Sequence, residues 1–174
     1  GTMLAEIFAP TSHTEFHWDH WGTLRGRRMY VFNYRVLREN SKYSIEDEAS
    51  GRTVVPGYHG LVYADRDTGM VMRIVLQCEN IPAGFPVQDV SETLDYDYAN
   101  ISGQKFVLPL HADLHSRGGR YQAWNELEFR LYRKFSTASS VTFDTPDAPS
   151  EPISPDQLKE TPAVPAPAPP EGKQ

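Results

Sequence analysis

A chain of 174 residues has room for one domain and a tail, and 39% hydrophobic with 11% aromatic residues supplies a core that excludes disorder along the whole length. A formal net charge of −6 argues against a nucleic-acid binder, which needs basic surface to neutralise phosphates. No run approaches the roughly 18 apolar residues of a membrane-spanning helix. The single cysteine, Cys78, excludes an intramolecular disulfide and a multi-cysteine zinc site, and its apolar surroundings (Val71–Cys78) suit a buried, inert thiol.

Residues 1–12 carry Leu4, Ile7 and Phe8 at helical spacing before Pro10, which predicts the end of a helix. No signal peptide is visible, and a helix that begins midway suggests a fragment, a processed form or an isolated domain. From residue 13 to 144 the pattern is strand after strand. His13–Leu24 is rich in aromatics and ends at the turn of Arg25, Gly26, Arg27 and Arg28. Met29–Arg38 alternates, with Tyr30, Phe32, Tyr34 and Val36 on one face. Lys42–Glu46 is a short third strand. Thr53–Ala64 and Gly69–Glu79 flank Asp65-Arg66-Asp67-Thr68-Gly69, a hairpin turn with Asp for side-chain capping and Gly for positive φ.

After an irregular loop, Asn80–Pro86, the strands Val90–Ile101, Lys105–His115 and Tyr121–Phe135 complete the set, joined by turns at Ser102-Gly103-Gln104 and Ser116–Arg120. Phe106, Leu108, Leu110, Ala112 and Leu114 are expected on one face, as are Leu127, Phe129 and Leu131. Short loops between alternating strands demand antiparallel neighbours. The predicted fold is mainly β: a curved antiparallel meander that forms an open half-barrel, with a short N-terminal helix. Nine of the 14 prolines fall between Pro146 and Pro170, so residues 145–174 read as a Pro-rich disordered tail. A ligand for an SH3-type groove is the functional alternative for that tail, and Ser154 with Pro155 can start a helical turn over Ser154–Lys159.

Candidate sites are sparse. His13, His17 and His20 would share a face for metal binding only on a helix, and the flanking aromatics favour a strand. His111 and His115 share a strand face with Asp113, but a strand separates them by roughly 13 Å, so they read as surface histidines rather than metal ligands. Asp95 and Asp97 point the same way, as solvent-facing carboxylates on an alternating strand. Glu126 and Glu128 read likewise, as partners in cross-strand charge pairs. Arg25, Arg27 and Arg28 read as a solvated turn, with docking of an anionic headgroup or acidic partner as the alternative. No phosphate loop, nucleophile elbow or zinc-protease motif is present. The expectation is a protein that is not an enzyme and uses neither metal nor cofactor.

The ordered segments Phe16–Val36, Gly60–Val87, Leu94–Ala112 and Asn125–Ser136 carry D-R-D-T-G, I-P-A-G-F-P, D-Y-D-Y and S-G-Q in series. This series resembles acidobacterial-type bacterial proteins related to the outer-membrane lipoprotein-sorting (LolA-like) superfamily. The resemblance covers about Phe16–Phe135 and leaves that family's amino-terminal part without a counterpart. It implies a half-barrel of the periplasm or cell envelope that binds a lipid, a lipoprotein or another apolar ligand in its concave face. Burial of an acyl chain there contributes about 0.8 kcal/mol per methylene. The lining residues expected from the strand pattern are Ile74, Tyr96, Phe106, Leu108, Leu110, Leu127 and Phe129, which suit a core equally well. A protein-interaction or structural domain of the envelope, with no small ligand, is the alternative, and an envelope protein would then be the partner.

Overall fold

The computed structural model describes residues 2–101, 103–119, 121–129 and 152–162. Helix α1 (Thr2–Ile7) leads through a 3-10 turn into the strands β1 (Glu15–Leu24), β2 (Arg27–Val36), β3 (Ile45–Asp47), β4 (Arg52–Val54), β5 (Gly57–Asp65), β6 (Val71–Glu79), β7 (Asp89–Ile101), β8 (Gln104–Gly118) and β9 (Tyr121–Glu128). A short helix α2 (Pro155–Leu158) and strand β10 (Glu160–Pro162) follow. Eight strands form one antiparallel sheet in the order β10-β1-β2-β5-β6-β7-β8-β9, curled into the expected half-barrel.

The meander departs from expectation at the third strand. β3 and β4 pair only with each other, as a separate two-stranded sheet, and β2 pairs directly with β5. The segment expected to run unbroken over Thr53–Ala64 is split at Val55-Pro56, where Pro56 has no N–H to offer a ladder. The expected extension of the last strand to Phe135 lies outside the described residues, as do tail residues 145–151 and 163–174.

Alternation gives the sheet a core face, and a polar face that also carries a second, smaller apolar cluster of Leu24, Met29, Val31, Tyr63 and Met72. The row Trp18, Phe32, Val62, Ile74, Leu94, Ala112 and Leu127 crosses seven strands on the core face. The adjacent row of Val31, Tyr63, Arg73, Asp95 and His111 lies on the polar face. Part of the core face is covered by α1 through Ile7, by the β3–β4 hairpin through Ile45 and Val54, and by the loop before β7 through Phe85. These pack on Tyr34, Val36, Tyr58, Val62, Ile74, Leu76, Cys78, Val90 and Tyr96. Cys78 is buried as expected, and burial pushes its thiol up to about 12, far from a reactive thiolate.

Gly60 shows the direction of the curl. A Cβ at this position would sit 1.8 Å from the carbonyl oxygen of Val75 on the next strand. So close an approach exists only because the β6 backbone bends over the side of Gly60 that faces Tyr34 and Leu76, its register partners. The core face is therefore the concave one. Tyr34 lies across the gap and its hydroxyl donates to Val75 O at 3.1 Å, as an aromatic neighbour covers a glycine in a coiled sheet.

Gly60→Ala is therefore expected to lose at least about 2 kcal/mol of unfolding free energy, because backbone must move. Gly84→Ala, where a Cβ meets nothing within 4 Å, should stay within about 0.5 kcal/mol of the parent. Urea melts of the two variants test this, and equal stabilities would refute the bend at Gly60.

Candidate functional site

An apolar hollow of about 240 Å³ opens on the concave face, lined by Phe8, Phe16, Phe32, Val62, Ala64, Gly69 and Val71. Its floor is sheet and its end wall is the end of α1. The chain after α1 is tied down because Ile7 O accepts from Ser12 Oγ at 3.1 Å and from Thr14 Oγ1 at 2.7 Å. This seats Phe8 on Phe16, with ring centroids 5.1 Å apart and planes 14° apart.

A half-exposed aromatic strip continues from the hollow along β1 and β2. Trp18 meets Phe32 at 5.8 Å and Trp21 at 5.2 Å, both edge-on, and Trp21 lies 4.6 Å from Tyr30. Strict alternation would send Trp18 and Trp21 to opposite faces. A register shift between Trp18 and His20 adds one residue, so Trp18 opposes Phe32 and Trp21 opposes Tyr30 on the same side. Trp18 is 48% exposed and Phe8 50%, which is much apolar surface for neighbouring positions on one face.

The lining residues expected from sequence are not brought together. Ile74 and Tyr96 are buried in the filled core. Leu127 is on the concave face but exposed, opposite Ala112, and Phe129 just beyond β9 donates its N–H to Leu110 O at 3.0 Å. A bulge at Leu110 splits the apolar set expected on one face of β8. Asp95 opposes His111 and Tyr96 opposes Pro109, so Leu110 has no register partner. Ala112 and Leu114 stay on the core face opposite Leu94 and Glu92, whereas Phe106 and Leu108 lie opposite Ala99 and Asp97 on the other face. The hollow is instead built from β1, β2, β5, β6 and α1. Its signal was the aromatic richness of Glu15–Leu24 together with Tyr30, Phe32 and Tyr34 on one face of β2.

The polar face holds this wall in place. Arg25 and Gly26, both at positive φ (47° and 72°), form the tight turn between β1 and β2. Arg25 is not solvated as expected, and neither is Asp95. Arg73 clamps Asp95 through both carboxylate oxygens at 2.9 and 3.0 Å, and Arg25 Nη1 adds a third contact at 3.1 Å. The Asp95 side chain is 1% exposed. Arg25 also pairs with Asp97 at 3.1 Å and donates to Tyr96 O at 2.7 Å. Two cations therefore face two carboxylates, which makes the burial tolerable.

Arg27 pairs with Asp65, the capping residue of the β5–β6 turn. Asp65 Oδ1 accepts from Asp67 N at 2.9 Å and Thr68 N at 3.0 Å, with Gly69 at φ 70°. Burial alone would push the Asp65 carboxyl up, but Arg27 and the turn's N–H groups override it and hold it at about 2. The hairpin read from sequence at Asp65–Gly69 is thus present, and it is fastened to the β1–β2 turn.

His111 is also not a surface residue. It is 3% exposed, with Nε2 2.9 Å from Glu126 and Nδ1 unpartnered. His115 stacks on Trp124 at 5.4 Å. No group of three His, Cys, Asp or Glu side chains among the described residues is placed to hold a metal ion.

Within the stretch read as a disordered tail, residues 152–162 are docked. Ser154 caps α2 in a capping box with Gln157, as the Ser-Pro pair suggests. Leu158 O then accepts from Arg73 Nη2 at 2.5 Å, and β10 pairs with β1, Leu24 opposite Glu160 and Gly22 opposite Pro162. Pro162 is tolerated because the strand is an edge. The Glu160 carboxylate accepts from the Tyr63 hydroxyl at 2.9 Å and lies 2.7 Å from His20 Nε2, in the space a Cβ at Gly22 would fill. Sequence reading missed this strap because its anchors are single side chains on strands far away in the chain.

Comparison of the chain with family models, curated proteins and solved structures found no match.

Two outcomes follow from the polar face. Asp95→Ala leaves Arg25 and Arg73 buried without their shared carboxylate and should destabilise by about 3–5 kcal/mol in thermal or urea melts, far more than an exposed ion pair would. The strap should loosen at high pH. Hydrogen bonds to Asp19 and Glu160 raise His20 above its ordinary 6.5, so its contribution is complete below 6.5 and is lost as pH rises through the raised value. Amide exchange around Gly22–Leu24, corrected for intrinsic rates, should accelerate across that window, and Glu160→Gln should flatten the dependence.

Proposed function

We propose that this chain is a non-enzymatic protein of the bacterial envelope, with a periplasmic setting, that holds the acyl chain of a lipid or lipoprotein against its concave face. The carrying observation is the hollow between Phe8, Phe16, Phe32 and Val71, continued by Trp18, Trp21 and Tyr30. It is apolar, on the inside of the curl, and lined by rings that water meets at substantial cost. Its volume lies below the usual 300–1,000 Å³ of drug-sized pockets, which suits a slender alkyl tail lying along the strip. The motif series that resembles the lipoprotein-sorting superfamily points the same way and supplies the envelope setting.

The experiment uses delipidated protein with Trp124→Phe, which leaves Trp18 and Trp21 as reporters. Titration with a brominated fatty acid should quench them saturably. Trp18→Ala should weaken binding by about tenfold, equivalent to about 1.4 kcal/mol, and Ala64→Leu, which fills the hollow, should do at least as much. Absence of saturable quenching would overturn the reading.

A second reading, a protein-interaction domain, is favoured by β9, the last strand of the sheet, where Trp124 and Leu127 are 63% and 51% exposed. It predicts that changing those two residues abolishes partner capture while acyl-chain binding is untouched.

A further inference from the structure

We propose that the ligand of this hollow is an anionic amphiphile, an acyl chain ending in a carboxylate or phosphate, and that Arg28 takes its headgroup. This rests on the acyl-chain reading above and adds the chemistry of the other end of the ligand. Phe32, Tyr30 and Arg28 occupy alternate positions of β2 and share the concave face. At about 3.4 Å per residue, Arg28 stands roughly 14 Å along the strand from Phe32. A chain seated in the hollow and laid over Tyr30 therefore ends at this guanidinium.

The arginines at this end of the sheet differ in what they face. Arg25 meets Asp95 and Asp97, Arg27 meets Asp65, and Arg66 meets Asp67 at 2.7 Å. Arg28 has no carboxylate among the described residues. Its guanidinium carbon lies 4.3 Å from the Trp21 ring centroid, and its Nε is buried with no hydrogen-bond partner. An unmet buried donor costs about 1–3 kcal/mol, which a shift of the guanidinium that brings Nε to a headgroup oxygen relieves. The Trp21 ring shields one side of the cation, and the planar fork of arginine favours a two-pronged contact to a planar carboxylate or a phosphate. The site thus joins an apolar trough to one cation that faces no carboxylate among the described residues, the complement of a tail with a negative head.

The test measures binding of dodecanoate, dodecyl phosphate, dodecanol and inorganic phosphate to the delipidated full chain, with the amphiphiles below their micelle concentrations. The two anionic amphiphiles should bind at least tenfold more tightly than dodecanol, and inorganic phosphate should bind far more weakly than either. Arg28→Gln should bring the anions down to the affinity of dodecanol and leave dodecanol unchanged. Arg28→Lys should keep part of the preference. In the parent protein the preference should also shrink at 0.5 M salt, a readout that needs no variant. Equal binding of dodecanol and the anions, or a preference that survives Arg28→Gln, overturns the headgroup assignment while the acyl-chain reading stands. Inorganic phosphate binding as tightly as dodecyl phosphate reduces the site to an anion site and overturns the assignment too. Failure of all three amphiphiles overturns both.

Discussion

The buried carboxylate of Asp95 fastens four parts of the chain to one point. Arg73 comes from the neighbouring strand, Arg25 from the β1–β2 turn, and Arg73 in turn holds Leu158 of the C-terminal strap. The register of β6 with β7 ends at Arg73 and Asp95, and just beyond it Met72 O and Tyr96 O both accept from Arg25. The guanidinium is a wedge that satisfies carbonyls where two strands part. Holding a non-glycine residue at positive φ costs about 1–2 kcal/mol, and these contacts offset it. Buried ion pairs add little net stability compared with apolar packing, but they penalise every arrangement in which one member is missing. Here that penalty fixes where the β1–β2 turn sits, and with it the aromatic strip on the opposite face.

The two faces of the sheet solve different problems. The concave face must bury a continuous apolar row, and the described residues cover only part of it. Ile7, Ile45, Val54 and Phe85 close the region over Val36, Tyr58, Cys78 and Val90. At the end of Trp18, Trp21 and Tyr30 no further covering group is found among the described residues, and the side chains there are large rings that shield one another through edge and tilted contacts. Aliphatic residues could pack as well under a permanent lid, but they could not cover each other without one. Aromatic residues at these positions suit a surface that is left half-exposed.

Much of this was legible in the sequence because it depends on local signals. The strand periods, the D-R-D-T-G turn, the glycine-bearing hairpin loops, the capped turn at Ser154 and the mainly β half-barrel all follow from alternation and turn chemistry. What was not legible depends on one-residue events and distant partners. A strand with alternating Asp95 and Asp97 looks solvated until Arg25 and Arg73 arrive from other hairpins. Phe106, Leu108, Leu110 and Ala112 look like one face until the bulge at Leu110 turns the first two over. Glu160 looks like part of a disordered tail until Gly22 leaves room for it beside His20 and Tyr63. In the first and third cases a distant partner overturned the local reading, and in the second a one-residue bulge broke the alternation itself.

The register shifts are not scattered. The extra residues are Asp19 in β1, Met72 in β6 and Leu110 in β8, and the positions beside them, His20, Tyr63, Arg73, Asp95 and His111, are linked by register through Val31 into one line across the sheet. Each bulge adds twist and removes ladder hydrogen bonds. Three in a row make a seam along which a flat sheet would bend and its backbone groups would go unmet. The side chains on the polar face of that seam are His20, Val31, Tyr63, Arg73, Asp95 and His111, among them the buried Arg73, Asp95 and His111. On the concave side the same seam brings Trp18 and Trp21 together and opens the hollow beside Ala64. The curvature that creates an apolar trough on one face therefore requires the polar network on the other, and neither face could be redesigned alone.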